Sequence, residues 1–410
     1  MTFSDFHLTP PLLEGLDAMG FIKPTPIQEQ VIPIIIDKKD LIACAQTGTG
    51  KTAAYLLPLL DHISHNKIPH TVALIIAPTR ELAQQIDQAF QGFAYFTHAS
   101  SMAVYGGSSG EVFDREKKAL KEGASVVIAT PGRLLSHLNM GSHRFDQLEV
   151  LILDEADKML DMGFYDDIMR IINYLPAKRQ NLLFSATMPP KMRELARKIL
   201  HHPSEINIAM SKPAEKILQG AYLLNDSQKT PLLKSLLTGK KFTSALIFAS
   251  TKSGVKSLER ELRQLHLNAK AIHSDLSQEE RENVLLGFRN RTTQILVATD
   301  ILSRGIDIEN IGLVVNYDVP GDAEDYVHRV GRTARAESTG VAITFVNVHD
   351  QYRFAQIEAL IEKTIPKLAL PPELGAATPW NPKKQPGRFG GKKNFSSGKK
   401  NFGSGKGNRK

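Results

Sequence analysis

Three carboxylates follow directly on a run of four apolar residues near the middle of the chain. The run Val150–Leu153 is typical of a buried parallel strand, and Asp154, Glu155 and Asp157 come at its carboxyl end. Open α/β sheets bind their ligands at that end of the strands. Acids in this place predict a site for a cation and a phosphate, and a solvated acidic turn is the alternative if the chain offers no phosphate site.

A glycine-rich loop earlier in the chain supplies the phosphate site. It joins the apolar stretch 40–44 to a helical pattern over 52–63, which is the order of elements in a phosphate-binding loop. Glycines let backbone N–H groups curl round phosphate oxygens at a helix N-terminus. Ala45 stands where such loops usually begin with glycine, so we interpret the loop as a variant. We expect nucleotide contacts from Gln46, Thr47, Gly48, Thr49, Gly50, Lys51 and Thr52, with Lys51 on the terminal phosphates and the Thr52 hydroxyl on Mg²⁺.

The elements around these residues alternate between apolar runs and helical patterns, which predicts an α/β fold with parallel sheets. Pro203, Pro213 and weak periodicity place a linker at 209–216, between expected domains at 1–208 and 217–365. A cleft between two such sheets would allow closure on a ligand. Strands are predicted at 40–45, 71–77, 101–105, 124–129, 149–154 and 180–184, and again at 217–224, 244–249, 268–273, 294–299, 312–317 and 340–346.

The positive charge of the chain lies in its C-terminal segment. The formal net charge is +8, yet 381–410 alone holds ten Lys or Arg and no Asp or Glu, so the rest of the chain is close to neutral. We predict a disordered, low-complexity basic tail over 366–410, because its Gly-, Lys- and Ser-rich end buries too little apolar surface to fold alone.

Composition predicts a cytoplasmic protein without a membrane partner. The 410 residues contain no run of 18 apolar residues, and the stretch from Met1 to Thr9 lacks the apolar core of a signal peptide. Cys44 is the single cysteine, which rules out an internal disulfide and suits a reducing compartment.

The motifs, taken in order, resemble those of the DEAD-box RNA helicases of helicase superfamily 2, and among them the bacterial RhlE-like group. The resemblance covers roughly residues 3 to 350 of the sequence. Ala334 departs from the glycine usual in the last motif, and this change spares both arginines there. The matching segments are 20–28 (Q motif), 45–52 (I), 78–83 (Ia), 106–107 (GG), 130–133 (Ib), 154–157 (DEAD), 185–187 (III), 246–251 (IV), 278–281 (QxxR), 298–307 (V) and 328–335 (VI).

This resemblance implies two tandem RecA-like domains with an ATP site between them. Asp154 would hold Mg²⁺ and Glu155 would orient or deprotonate the attacking water, while Arg332 and Arg335 would act as arginine fingers from the second domain. Adenine would be read by Gln28 and stacked on Phe21, and Asp307 would accept from the ribose hydroxyl. The residues implied to couple this site to the domain interface are Asp157, Ser185, Thr187 and His328.

RNA contacts implied by the resemblance go mostly to phosphate and sugar, so they carry no base sequence. For Arg80 and Arg133 a salt bridge at the start of a helix is the alternative. The expected RNA-binding residues are Arg80, Gly107, Thr130, Gly132 and Arg133 in the first domain and Gln278, Arg281, Thr299 and Gly305 in the second.

Three functions compete at this stage. The leading hypothesis is an ATP-dependent RNA helicase that closes on ATP and RNA and opens short duplexes locally, with ribosome-assembly or RNA-decay proteins as candidate partners and a monomeric core. An ATP-dependent RNA clamp or RNP-remodelling scaffold with little unwinding is the alternative, and intact Lys51, Glu155, Arg332 and Arg335 argue against its inactive form. A DNA translocase of the same superfamily is the third, disfavoured by the Q motif and the DEAD tetrapeptide.

Overall fold

The computed structural model describes residues 1–46, 48–66, 68, 70–106, 110–141, 145–208, 217–238, 242–299, 311–333 and 340–383. Several predictions therefore lie outside the described residues. They concern Thr47, Gly107, Gly305, Asp307, Arg335, the linker 209–216 and the tail from 384 onward.

The first domain is built on a parallel sheet of seven strands among the described residues, in the order β3-β4-β2-β5-β6-β1-β7. Its central strands are buried along their whole length because helices cover both faces, which explains their continuous apolar runs. The strands are β1 (Leu41–Cys44), β2 (Ala73–Ile76), β3 (Ser101–Val104), β4 (Val126–Ala129), β5 (Val150–Leu153), β6 (Gln180–Ser185) and β7 (Ser204–Asn207).

Helices of the first domain begin at residues suited to satisfy their free N–H groups. Thr25 and Gln28 form a capping box at the start of α2, and the Thr79 hydroxyl accepts from Leu82 N at the start of α4. The helices are α1 (Pro10–Ala18), α2 (Pro26–Ile36), α3 (Lys51–Asn66), α4 (Arg80–Phe93), α5 (Gly110–Glu122), α6 (Pro131–Asn139), α7 (Ala156–Asp161), α8 (Tyr165–Ile172) and α9 (Pro190–Ile199).

The second domain repeats this topology. Its described strands are also parallel, in the order β10-β11-β9-β12-β13-β8-β14, which is the first order with each strand replaced by its counterpart. The elements are β8 (Ile217–Leu223), α10 (Asp226–Leu237), β9 (Ala245–Phe248), α11 (Lys252–Gln264), β10 (Ala269–Ile272), α12 (Gln278–Arg289), β11 (Ile295–Ala298), β12 (Leu313–Asn316), α13 (Ala323–Val330), β13 (Gly340–Val346), α14 (Gln351–Leu360) and β14 (Lys367–Leu368).

All twelve predicted strands are present, and the prediction of two tandem α/β domains is confirmed. The sequence analysis missed β7 and β14, the strands at one edge of each sheet. The second domain also extends past the boundary predicted at 365. Trp380 lies 6.1 Å from Phe354 in an edge-on contact, and the Gln351 amide donates to the Pro379 carbonyl at 2.9 Å. None of the described helices is both long and apolar enough to cross a membrane.

Candidate ATP site and nucleic-acid face

The first motif residues converge because their strands are neighbours. The sheet order places β5, β6 and β1 side by side, so the loops that follow them open at one edge. The glycine loop follows β1, the DEAD residues follow β5, and Ser185 to Thr187 follow β6.

The glycine loop forms a cradle with room for an anion. Gly48 and Gly50 have φ of 81° and 92°, and the space where a Gly48 side chain would stand is open to 4 Å. Lys51 is buried and donates to the Ala45 carbonyl at 2.6 Å. The buried Gln46 Nε2 has no hydrogen-bond partner among the described residues. A phosphate group would supply partners to both side chains.

Asp154 is held by hydrogen bonds on both of its oxygens. Oδ1 accepts from the Glu155 N–H at 2.9 Å and Oδ2 accepts from the Tyr55 hydroxyl at 2.9 Å. Burial raises the pKa of this carboxyl, and nearby Lys51 opposes the rise. The donor set of a carboxylate beside the Thr52 hydroxyl fits the hard oxygen ligands that Mg²⁺ prefers.

Glu155 adopts a backbone conformation that non-glycine residues rarely take, with φ of 50° and ψ of 47°. Its carboxylate accepts from Lys158 Nζ at 2.6 Å, and both side chains are buried. Burial alone would raise the pKa of Glu155, but the ammonium groups of Lys158 and Lys51 outweigh it and lower the pKa. The lowered pKa keeps this carboxylate ionised at neutral pH.

Asp157 ties the DEAD segment to the loop after β6. Its Oδ2 accepts from the Thr187 N–H at 2.9 Å, from the Thr187 hydroxyl at 3.0 Å and from the Ala186 N–H at 3.2 Å. Ser185 in turn donates to the Thr187 carbonyl at 2.7 Å. Three of the predicted coupling residues thus form one partly buried network.

Gln28 is bound to the glycine loop. Its Oε1 accepts from the Thr25 N–H at 2.9 Å and its Nε2 donates to the Gly50 carbonyl at 3.1 Å. Thr25 adds a bond to the Thr49 carbonyl at 2.8 Å. Phe21 packs edge-on against Phe93, with centroids 5.1 Å apart. The Q motif therefore buttresses the phosphate loop in this structure.

The second domain brings Arg332 towards this site. Its positive charge is among the causes that lower the pKa of Glu155, so the guanidinium lies within electrostatic reach of that carboxylate. His328 lies in α13, and Glu324 of the same helix lines a cavity of about 270 Å³ together with Ala186 and Thr187. The predicted contribution of the second domain to the site is geometrically possible.

Arg80 and the QxxR residues meet across the two domains. Arg80 donates to Gln278 Oε1 at 3.2 Å, and Arg281 lies 3.8 Å from the Glu81 carboxylate. Gly106 lies beside the two arginines of the first domain that are predicted to bind RNA. A Cβ atom at Gly106 would stand 3.6 Å from Arg80 Nη2 and 4.0 Å from Arg133 Cβ. These residues share one face, separate from the glycine loop.

The other predicted RNA contacts stand at strand ends or helix starts. Thr130 is the N-cap of α6, and Gly132 lies in its first turn with open space around it. Thr299 follows β11 directly. In both sheets these positions are at the carboxyl ends of the strands, where open α/β sheets bind ligands.

Comparison with known proteins assigns the family. Residues 25–195 match the DEAD/DEAH box helicase family and residues 228–337 match the helicase conserved C-terminal domain. The ATP-dependent RNA helicase CshA of Listeria monocytogenes is 42% identical over 370 residues, covering 90% of this chain and 70% of the relative. This chain belongs to the DEAD-box helicase family.

Other DEAD-box proteins agree with this assignment. The ATP-dependent RNA helicase DeaD of Buchnera aphidicola is 39% identical over 372 residues, which span 90% of this chain and 61% of the relative. Dbp5 of Saccharomyces cerevisiae bound to RNA and ADP BeF3 superposes with a TM-score of 0.79 at 31% identity, over 90% of this chain and 95% of the other. Both domains enter that superposition. The narrower RhlE-like placement stays a prediction.

Two DEAD-box site residues escaped the sequence analysis. Tyr55 belongs to no motif quoted above, yet it is fully buried and binds Asp154, and its ring lies tilted against that of Phe184 with centroids 5.0 Å apart. Lys158 follows the tetrapeptide directly and pairs with Glu155. The helical spacing of Tyr55 one turn after Thr52 was the available signal, because residues three apart share a helix face.

Proposed function

We propose that this DEAD-box protein is an ATP-dependent RNA helicase that closes two domains on ATP and RNA, unwinds short duplexes locally and hydrolyses ATP for release. The observation that carries the proposal is the convergence of the glycine loop, with its buried Lys51, and the ionised Glu155 at one edge of the first sheet, within electrostatic reach of Arg332 from the second domain. These are the groups that phosphoryl transfer to water requires.

Each residue has a separate task in this proposal. Lys51 leaves the Ala45 carbonyl to bind the terminal phosphates, and Glu155 orients the attacking water and accepts its proton. Arg332 neutralises charge that develops on the transferred phosphoryl group, as Arg335 would also do. Thr52 and Asp154 would hold Mg²⁺, which neutralises phosphate charge when bound.

Nucleotide recognition is assigned to the Q motif and motif V. Gln28 would read adenine, Phe21 would stack on it and Asp307 would bind the ribose. Because the Gln28 amide already contacts Gly50, reading adenine with the same side chain would couple base recognition to the phosphate loop. The proposal therefore gives Gln28 two roles.

RNA would lie across the face that carries Arg80, Arg133, Gln278 and Arg281. The relatives named above are RNA helicases, and Dbp5 was determined with RNA. Contacts there would read backbone and 2′-hydroxyls, which favours RNA over DNA without base specificity. We further propose a cytoplasmic location and partners among ribosome-assembly or RNA-decay proteins.

A steady-state ATPase assay with no nucleic acid, with single-stranded RNA and with DNA of the same sequence tests the proposal. We expect slow hydrolysis alone, clear stimulation by RNA and weak stimulation by DNA. Lys51→Ala should abolish all three rates, while Lys38→Ala, which changes an exposed lysine, should leave them intact. Equal stimulation by DNA would refute the RNA assignment, and RNA-stimulated hydrolysis without strand separation would favour the clamp.

A further inference from the structure

Arg133 belongs to a buried polar cluster whose other members lie outside the helicase motifs. Helix α5 contributes Phe113 and Glu116, which are three residues apart on one face, and α6 contributes Arg133 and His137, which are four apart. The side chains of Glu116 and His137 are 5% and 0% exposed, so the cluster is shielded from solvent.

A single carboxylate oxygen organises this cluster. Glu116 Oε2 accepts from Arg133 Nε at 2.7 Å and is 2.8 Å from His137 Nε2. The Phe113 ring stacks on the His137 ring with centroids 4.0 Å apart and planes within 9° of each other. The Arg133 guanidinium carbon lies 4.6 Å from the centroid of the Phe113 ring. Each partner therefore restricts the guanidinium in a different direction.

The guanidinium is held by its Nε edge and keeps donors to spare. Arg133 Nη2 is buried and has no hydrogen-bond partner within the described part of the chain. A buried donor of a charged group without a partner is costly, so its persistence indicates a ligand that completes it. Gly106 borders Arg133 on the same face as Arg80, where RNA is proposed to pass.

We propose that Glu116 is a positioning residue for RNA binding: it fixes the Nε edge of Arg133, with Phe113 and His137 as its supports, so that the remaining donors of the partly exposed guanidinium are directed to an RNA phosphate. The inference rests on the proposed RNA-binding function. It assigns α5, which carries no recognised motif, a part in the nucleic-acid face. The carboxylate acts through its geometry, since it touches no nucleotide itself.

An opposite reading makes Glu116 a competitor that neutralises Arg133 and weakens RNA binding by its charge. Two substitutions separate the readings. Glu116→Gln removes the charge but keeps an oxygen where Oε2 accepts, while Glu116→Asp keeps the charge and withdraws it by one methylene. If Glu116 positions Arg133, RNA affinity should be kept in Glu116→Gln and lost in Glu116→Asp. If Glu116 competes with RNA for Arg133, RNA affinity should rise in Glu116→Gln and change little in Glu116→Asp.

The test is RNA affinity of the full chain, measured by fluorescence anisotropy with a labelled single-stranded RNA at several salt concentrations. We expect Glu116→Asp to weaken binding about five- to thirtyfold, as for one charge-assisted hydrogen bond, and to flatten the log–log salt slope by roughly 0.7, as for one lost phosphate contact. Glu116→Gln should stay within about twofold of the wild type. Glu122→Asp on the exposed face of α5 is the matched control.

A double-mutant cycle shows whether Glu116 acts through Arg133. In an Arg133→Ala background the Gln and Asp variants should bind RNA equally. The inference would be overturned if Glu116→Asp bound RNA with wild-type affinity, or if Glu116→Asp caused the same loss of RNA affinity when Arg133 is already alanine. Tighter RNA binding by Glu116→Gln would also overturn it. If the wild type itself does not bind RNA, the proposed function fails instead. Thermal unfolding midpoints distinguish lost folding from lost contact.

Discussion

At the scale of the residue, Glu155 combines an unusual backbone conformation with a buried ion pair. The left-handed geometry at φ 50° costs free energy for a residue with a side chain, and the surrounding contacts must hold it. Lys158 supplies one of them at 2.6 Å. Strain of this kind at the end of β5 fits a residue kept for chemistry.

Glu155→Gln should separate binding from turnover. The amide keeps the shape of the side chain but cannot accept a proton from water, so kcat should fall about 10²- to 10⁴-fold. ATP and RNA binding should persist, giving a long-lived complex detectable by nucleotide release. Glu14→Gln, an exposed control, should behave as wild type. Robust turnover in Glu155→Gln would contradict the assigned role.

Tyr55 is the second residue-scale determinant, because its hydroxyl fixes Asp154 Oδ2 at 2.9 Å. Tyr55→Phe keeps the ring against Phe184 and removes the hydroxyl, which bonds both Asp154 and the Thr52 side chain. The half-saturating Mg²⁺ concentration for nucleotide binding should rise about tenfold, as for other partners of metal ligands. Mn²⁺ binding followed by electron paramagnetic resonance reads the site without turnover. The same metal affinity in Tyr55→Phe and in the exposed control Tyr95→Phe would show that the bond has no such role.

At the scale of the element, twelve of the described strands could be predicted, and the two that could not, β7 and β14, lie at one edge of each sheet. β5 and β9 are buried throughout and read as continuous apolar runs, whereas β7 reads Ser-Glu-Ile-Asn and is only partly buried. β14 has two residues, too few for any periodicity.

The candidate site divides in the same way. Motif spacing placed Lys51, Asp154 and Asp157 together, and the structure agrees. Tyr55 contacts a residue at the end of β5, and Glu116 contacts residues of α6, so both contacts depend on tertiary packing that local sequence does not encode. Sequence patterns therefore predicted which candidate groups come together, while the residues that support them needed tertiary structure.

The segment 366–383 is expected to stabilise the second domain. Leu368 pairs beside Tyr222 at the sheet edge, and Lys367 Nζ lies 4.6 Å from the Trp380 ring, which packs on Phe354. Ending the chain after 365 exposes the apolar surface that this segment covers, which should lower the free energy of unfolding by roughly 2–4 kcal/mol. The unfolding midpoint of the second domain should therefore fall by about 10 °C. Ending it after 383 should leave the midpoint in calorimetry unchanged. Equal midpoints for the two truncations would mean that the segment adds no stability.

At the scale of the whole molecule, the charge of the chain is divided between a near-neutral body and a basic end. Deleting 384–410 removes nine of the ten positive charges beyond 380, along with Phe389, Phe395 and Phe402. RNA affinity should fall, most at low salt, and the log–log salt slope should flatten by about 3 if four phosphate contacts are lost. The loss should be similar for unrelated RNA sequences, because charge and stacking read no base edges. Unchanged affinity and slope would make the segment irrelevant to RNA binding.

The two domains share one topology but hold different parts of the proposed catalytic site. The glycine loop and the acids lie in the first domain, and we propose that Arg332 completes the site from the second. Arginine fingers supplied in this way contribute about 10³ to 10⁵ in rate. We therefore expect that neither domain alone is an RNA-stimulated ATPase.

RNA-stimulated ATP hydrolysis by residues 1–208, compared with the full chain and with Arg332→Ala, tests this claim most directly. The first domain and Arg332→Ala should both bind ATP yet lose RNA-stimulated turnover, while Arg263→Ala, an exposed control in α11, should retain it. Stimulation by RNA that survives in residues 1–208 at a rate near that of the full chain would contradict a site shared between the domains.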